Sequence, residues 1–111
     1  MLADPQYWEE RESEVVTCRE IAGWMLDQAS LDDKLAGSVP FCTMCAVAVS
    51  GWQLLRQARA AHDAGGAIAT TKPVVARFFI DHLLPEAAGL KASAVAGAAG
   101  LYGLSDEALV G

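Results

Sequence analysis

The sequence predicts an all-α fold: an up-down bundle of three long helices in an up-down-up arrangement, the third kinked at Pro85. Three observations carry this. Apolar residues recur at three- and four-residue steps over most of the chain. No stretch alternates as a strand would. Helix breakers cluster at a few places only, in "SLDDKLAGSVP", in "DAGGAIAT" and at Pro85.

The first helix opens at Asp4-Pro5, where Asp4 caps free amides and Pro5 suits the first helical position. Glu9, Glu10, Glu12 and Glu14 occupy the opening turns, where the helix dipole favours negative charge. Val15, Cys18, Ala22 and Met25 make its apolar stripe, widened by Ile21 and Leu26, and it ends near Ala29. "SLDDKLAGSVP" reads as the following loop. The second helix starts at Ser38-Val39-Pro40 and runs to about His62. Its stripe is Phe41, Cys45, Ala48, Trp52, Leu55 and Ala58. Val47, Val49 and Leu54 are apolar on the other side, which means burial on several sides. Gly65-Gly66 ends it. The third helix starts around Thr70-Thr71, with Pro73 near its first turn, and Val75, Ala76, Phe78, Phe79 and Leu83 crowd one wide face. Pro85 lacks the amide that would bond to the Asp81 carbonyl, hence the kink. Beyond it, Gly89, Ser93 and Gly97, and likewise Ala92, Ala96 and Gly100, form seams that let another helix come close. Gly103 is the expected stop, and "LSDEALVG" adds one short turn.

A chain of 111 residues is a single helical domain, 1–111, or a piece of a longer protein. Its abrupt start suits the second. The hydrophobic fraction is 53% and the mean hydropathy +0.26, against about 45–50% apolar in ordinary domains. That surplus calls for an oligomer, a membrane or the rest of a larger protein. The net charge of −6 is concentrated in residues 1–33, where nine acids face two arginines. An acidic balance argues against nucleic acid as a partner. Three cysteines in no paired pattern, and no signal peptide at the start, fit a reducing, cytoplasmic setting. A transmembrane segment is not expected: a span needs roughly 20 apolar residues, and "FCTMCAVAVSGWQLL" is shorter, with Thr43, Ser50 and Gln53 inside it. A peripheral contact through an amphipathic face stays open.

No residue set is complete for catalysis. Cys42 and Cys45 form a C-x-x-C near the expected helix start, where a thiolate would be favoured, but no strand precedes it, and Cys45 lies on the apolar stripe. Packing is the preferred reading. Cys18, Cys42 and Cys45 with His62 or His82 lack zinc-finger spacing. Arg56, Arg59, His62 and Lys72 are the one basic cluster. They satisfy a helix C-terminus, or they contact phosphates or an acidic partner surface. His82 and Glu86, four apart, read as structural rather than as a proton relay, and Arg77 and Asp81 as a surface ion pair. No metal or cofactor site follows.

Read together, "GWQLLRQARAAHDAG", "KPVVARFFIDHLLPEAAGLKASAVAGA" and "LSDEAL" carry a resemblance. Gly51-Trp52, Ala76-Arg77-Phe78 and Asp81-His82-Leu83-Leu84-Pro85 are its specific features. Over roughly residues 5–109 the chain resembles the extra C-terminal helical domain of the large bacterial acyl-CoA dehydrogenases, of the 3-methylmercaptopropionyl-CoA dehydrogenase type. The resemblance implies a parent flavoenzyme in which FAD takes a hydride from the β-carbon of an acyl-CoA while a glutamate removes the α-proton. Both belong to preceding domains, and Glu86 inherits no such role. This chain would be inactive alone, with a part in assembly or in shaping the acyl-CoA entrance. Its implied partners are those preceding domains and a second copy, met through apolar helix faces. The residues leave two alternatives open: an autonomous helical interaction module, and a small thiol oxidoreductase using Cys42 and Cys45.

Overall fold

A helix of 34 residues is the spine of the molecule. The computed structural model describes the backbone of residues 5–111 and the side chains of Glu9 and of Glu12 onward. The expected cap at Asp4 lies outside the described residues. Those residues form α1 (Pro5–Asp27), α2 (Leu31–Ala64), α3 (Ile68–His82), α4 (Leu84–Ala88), α5 (Lys91–Ala94), a 3-10 turn (Ala99–Tyr102) and α6 (Asp106–Val110). Among the described residues every element is a helix and none is a strand, as the periodicity predicts.

The largest departure from expectation is at "SLDDKLAGSVP", which is helix and not loop. Ser30 is extended (φ −67°, ψ 167°), and its Oγ accepts the Asp33 N–H at 3.2 Å. Asp32 and Asp33 fill the first turn, where the dipole favours them. Helix therefore starts at Leu31 and runs through Pro40. A proline inside an exposed helix costs about 3 kcal/mol, since it strands the carbonyl four residues back, here that of Ala36. Packing on both sides of Pro40 offsets this: Gly37 and Met44 are buried. The hydroxyls of Ser38 and Thr43 donate back to the Leu35 and Val39 carbonyls at 2.8 and 3.0 Å. The far end behaves as expected. Gly65 and Gly66 both adopt φ 76°, a left-handed conformation that glycine takes without strain.

In α1 the first turn holds no acid, so the dipole gains little from glutamates that begin at Glu9. Its inward line runs through Glu14 and Ile21, with Cys18 and Met25 half-buried, while Leu26 is exposed. The expected stripe is thus turned by about one residue.

Two clusters replace a single core. On the N-terminal half of α2, Met44 packs with Ile21 of α1 and Ala94 of α5, flanked by Cys18, Met25, Phe41, Leu90 and Val95. On its C-terminal half, Leu55 and Ala58 pack with Ala76 and Ile80 of α3 and Leu84 of α4. The buried line of α2 is Gly37, Met44, Ala48, Gly51, Leu55, Ala58 and Ala61. Met44 and Gly51 thus stand where Cys45 and Trp52 were expected. Close approach is the reason. A Cβ at Gly51 would lie 3.4 Å from Ile80 Cδ1 and 3.5 Å from Phe79, so α3 crosses where α2 has no side chain, and Trp52 turns outward, 38% exposed. The expected wide face of α3 is split for the same reason. Pro73, Ala76 and Ile80 are buried, whereas Val75, Phe78 and Leu83 are exposed.

Pro85 does not kink a continuing helix. α3 stops at His82, and Pro85 sits in the first turn of α4, where its missing amide is harmless. The expected small-residue seams do not form, because this segment breaks into helices of five and four residues. Gly89, Ala92, Ser93, Ala96 and Gly100 are exposed, while Ala87, Ala94 and Ala98 are buried. Gly97 (φ 83°) turns the Ala98 N–H onto Asp33 Oδ1 at 2.8 Å, latching the tail to the start of α2. The 3-10 turn ends before Gly103, and Ser105 caps α6 by accepting the Ala108 N–H at 3.2 Å.

The molecule measures 64 × 32 × 18 Å, with a radius of gyration of 18.6 Å. A compact domain of this length would have about 13 Å. Its accessible surface is 7213 Å², against about 5,900 Å² for a compact monomer of the same mass.

A Cβ at Gly37 would run into the Ala94 carbonyl, whereas one at Gly23 meets nothing within 4 Å. Gly37→Ala should therefore cost about 1–3 kcal/mol through overpacking, and Gly23→Ala should add about 0.5–1 kcal/mol through helix propensity, both read from urea unfolding. Bonds from Ala98 and Ser30 hold the Asp33 carboxyl below its ordinary range. The latch therefore contributes stability above about pH 4 and loses it as pH falls through the lowered value. Asp33→Ala at neutral pH should lower amide-exchange protection in residues 98–111, each rate taken relative to its intrinsic rate at that pH, as acid should for the native chain; unchanged protection would rule out the latch.

Candidate functional site

The C-terminal half of α2 carries the basic cluster. Trp52, Arg56, Arg59, Ala60 and Asp63 recur at three- and four-residue steps and line one open groove of about 420 Å³. The Arg56 guanidinium lies 4.9 Å from the centre of the Trp52 indole, a cation–π contact that spreads the side chain flat along the helix. Asp63 sits at the end of the groove and offsets part of the charge of Arg56 and Arg59. Lys72, on α3, stands apart: it donates to Gln57 Oε1 at 3.2 Å, and Gln57 is about 200° around the helix from Arg59. His62 is exposed in the last turn of α2, three residues from Arg59 and so beside it on the helix surface. Arg56 and Arg59 therefore form a two-arginine surface with a fixed guanidinium, suited to a carboxylate or phosphate on a partner.

The thiols are arranged differently from a redox pair. Cys42 is exposed and is the twelfth residue of α2, far from the helix start. The N-terminal placement that would favour a thiolate is lost once α2 begins at Leu31. Cys45 instead meets Cys18 of α1. Burial first, then Cys45 with its hydrogen bond, and finally the Glu14 charge, push the Cys18 thiol up to about 12. A thiol held neutral is a poor nucleophile. Among the described residues no three or more His, Cys, Asp or Glu are grouped to hold a metal.

Glu14 is the residue that pattern reading missed. It is 4% exposed, and among the described residues its Oε1 has no hydrogen-bond partner. Burial raises its carboxyl above the ordinary range. The signal was available: Glu14 precedes Cys18 by four residues and Ile21 by seven, which puts it on the inward line of α1. Elsewhere, Arg77 Nε and Asp81 Oδ2 pair at 3.6 Å on the surface, as expected. The His82 ring is stacked at 4.6 Å on Phe78, in an exposed position that closes α3.

α2 is long and apolar enough to cross a membrane by length and composition. The length argument against a span fails, because starting at Leu31 places the whole uncharged run Leu35–Leu55 in one helix. Packing argues differently. α1 and α5 lie against this helix and carry the exposed pair Lys91–Glu20 at 3.3 Å. A bilayer around α2 would draw those charges in with it, at a high cost.

The family model described as "Acetyl-CoA dehydrogenase C-terminal like" matches residues 6–105. No curated protein and no solved structure matches the chain.

Because the folded state holds the Glu14 proton more tightly than the unfolded chain, this group favours folding below the ordinary carboxylate range. The advantage is lost as pH rises through its raised value. Glu14→Gln should raise the melting temperature at pH 7 and flatten the melting profile between pH 4 and 7; a variant less stable than the native chain at pH 7 would mean that the carboxylate is paired.

Proposed function

We infer the role of this chain from one premise: it belongs to the acetyl-CoA dehydrogenase C-terminal-like family. It is the C-terminal structural and assembly domain of a flavin-dependent acyl-CoA dehydrogenase, of the 3-methylmercaptopropionyl-CoA dehydrogenase type, at work in the cytoplasm. The parent enzyme oxidises an acyl-CoA between its α- and β-carbons. FAD supplies the hydride acceptor when bound, and it is held by the preceding domains. The groove at Trp52 does not fit a flavin. It is open, and one arginine already covers the indole. No step of the reaction is routed through this chain.

The observation that supports an assembly role is the surplus of surface. The chain exposes 7213 Å², and Val74, Val75 and Phe78 of α3, like Leu31, Leu35 and Val39 of α2, are exposed. Exposed apolar side chains grouped in this way mark a contact with other protein or with a membrane. The exposed Lys91–Glu20 pair on the helices packed against α2 favours protein over lipid as its cover, so no transmembrane segment is assigned. Arg56 and Arg59 then serve as a polar rim, held open for an acidic partner group.

The flavoprotein body, expressed with and without this domain, tests the reading. Removing the domain should change the number of subunits per particle, read as the light-scattering mass divided by the subunit mass, and leave the flavin spectrum in place. A body of unchanged subunit number and unchanged acyl-CoA turnover would overturn it, as would flavin bound to the isolated chain.

A further inference from the structure

We propose that a small disulfide oxidant joins Cys18 and Cys45 into a covalent bridge between α1 and α2, with Cys42 as the thiol through which oxidation enters. This modification goes beyond the assembly role and does not depend on it.

The C-x-x-C of the sequence is not the pair that the fold builds. Cys18 of α1 and Cys45 of α2 meet across the two helices and share a side-chain hydrogen bond. The packing around them agrees. Cys18 and Phe41 both pack against the cluster of Ile21, Met44 and Ala94. Cys45 follows Met44 directly and Phe41 by four residues, which places it on the α1 side of α2. Sulfurs that already touch need only a small side-chain rotation to bond, whereas cysteines on diverging backbones cannot be bridged at all. Both of these thiols are half-buried, and Cys42 is exposed. Cys42 and Cys45 are three residues apart, hence neighbours on the helix surface. The three cysteines make one path from solvent to the contact between α1 and α2.

The path matters because burial holds the Cys18 thiol at about 12, and a neutral thiol attacks an oxidant in solvent poorly. Exchange along the path brings the oxidation to it. The Cys42 thiolate attacks oxidised glutathione, forms a mixed disulfide and releases one glutathione thiol. Cys45 attacks the Cys42 sulfur and releases the second. Cys18 then attacks the Cys45 sulfur that it touches, and its proton passes to the departing Cys42 thiolate. Two protein thiols and one small disulfide become one protein disulfide and two small thiols. Two electrons leave the protein, and no further reactant is needed. In the reducing setting proposed above, such a bridge is a transient response to oxidant. While it lasts, it fixes α1 on the spine over one of the two small core clusters.

Oxidised glutathione added to the 111-residue chain tests this, with tryptic mass spectrometry as the readout. Cleavage after Arg11 and Arg19 isolates Cys18, and cleavage after Lys34 and Arg56 leaves Cys42 and Cys45 on one peptide. The two peptides should appear joined, with fragmentation placing the bridge at Cys45 and a free thiol at Cys42. The melting temperature should rise by about 5–15 °C and fall back when dithiothreitol is added. Cys42→Ser should form the same bridge at least tenfold more slowly, and Cys45→Ser should form none to Cys18. A bridge that stays between Cys42 and Cys45, a dimer joined at Cys42, or no bridge at all overturns the proposal. An unchanged rate in Cys42→Ser overturns the entry role of Cys42.

Discussion

The rest of the structure depends on α2 remaining helical across Pro40. The Ser30 hydroxyl, Asp32 and Asp33 start the helix nine residues before the proline, and the Asp33 carboxylate then takes the Ala98 amide. One acidic side chain thus sits at two joints, the first turn of the spine and the return of the tail. Because the helix is continuous, it is longer than any element that folds back on it. α1 with α5 can cover one half and α3 with α4 the other. A long spine with short companions gives two small clusters and a large surface, as the radius of gyration records.

That geometry also explains why the candidate chemistry came apart. A helix that begins at Leu31 moves Cys42 out of the first turn and onto the outer face, while Cys45 turns in to Cys18. The two cysteines are three residues apart and differ in their surroundings, one thiol exposed and one half-buried. Buried polar groups in the N-terminal cluster do not assemble into a catalytic site either. Glu14 and Cys18 are both favoured as neutral groups by loss of water, which suits packing and withholds a base and a nucleophile together.

Membership of the acetyl-CoA dehydrogenase C-terminal-like family gives this incomplete burial a rationale. On the assembly role proposed above, the faces this domain presents matter as much as its own core. Among the described residues the large side chains of Ile21, Met44, Leu55 and Ile80 are fully buried, and each contributes about 1.5–3 kcal/mol. The exposed leucines and valines of α2 and α3 are the remainder of a hydrophobic composition that one copy does not enclose.

Much was legible in the sequence by itself. Periodicity determined that the chain is helical, Gly65-Gly66 determined where the spine stops, and "LSDEALVG" encoded its short final helix. The quoted segments from Gly51 onward carried the family resemblance. Arg56 and Arg59 were readable as one basic surface, being close on the same helix. Only the tertiary structure decided which face of each helix is inside. Periodicity sets the spacing of a stripe and leaves its rotation free when several faces are apolar. Gly51 is buried and Trp52 exposed because α3 approaches closest where no side chain stands. Pro40 was decided there too. A helix breaker is a local cost of a few kcal/mol, and contacts from residues as distant as Ala94 are what it is weighed against.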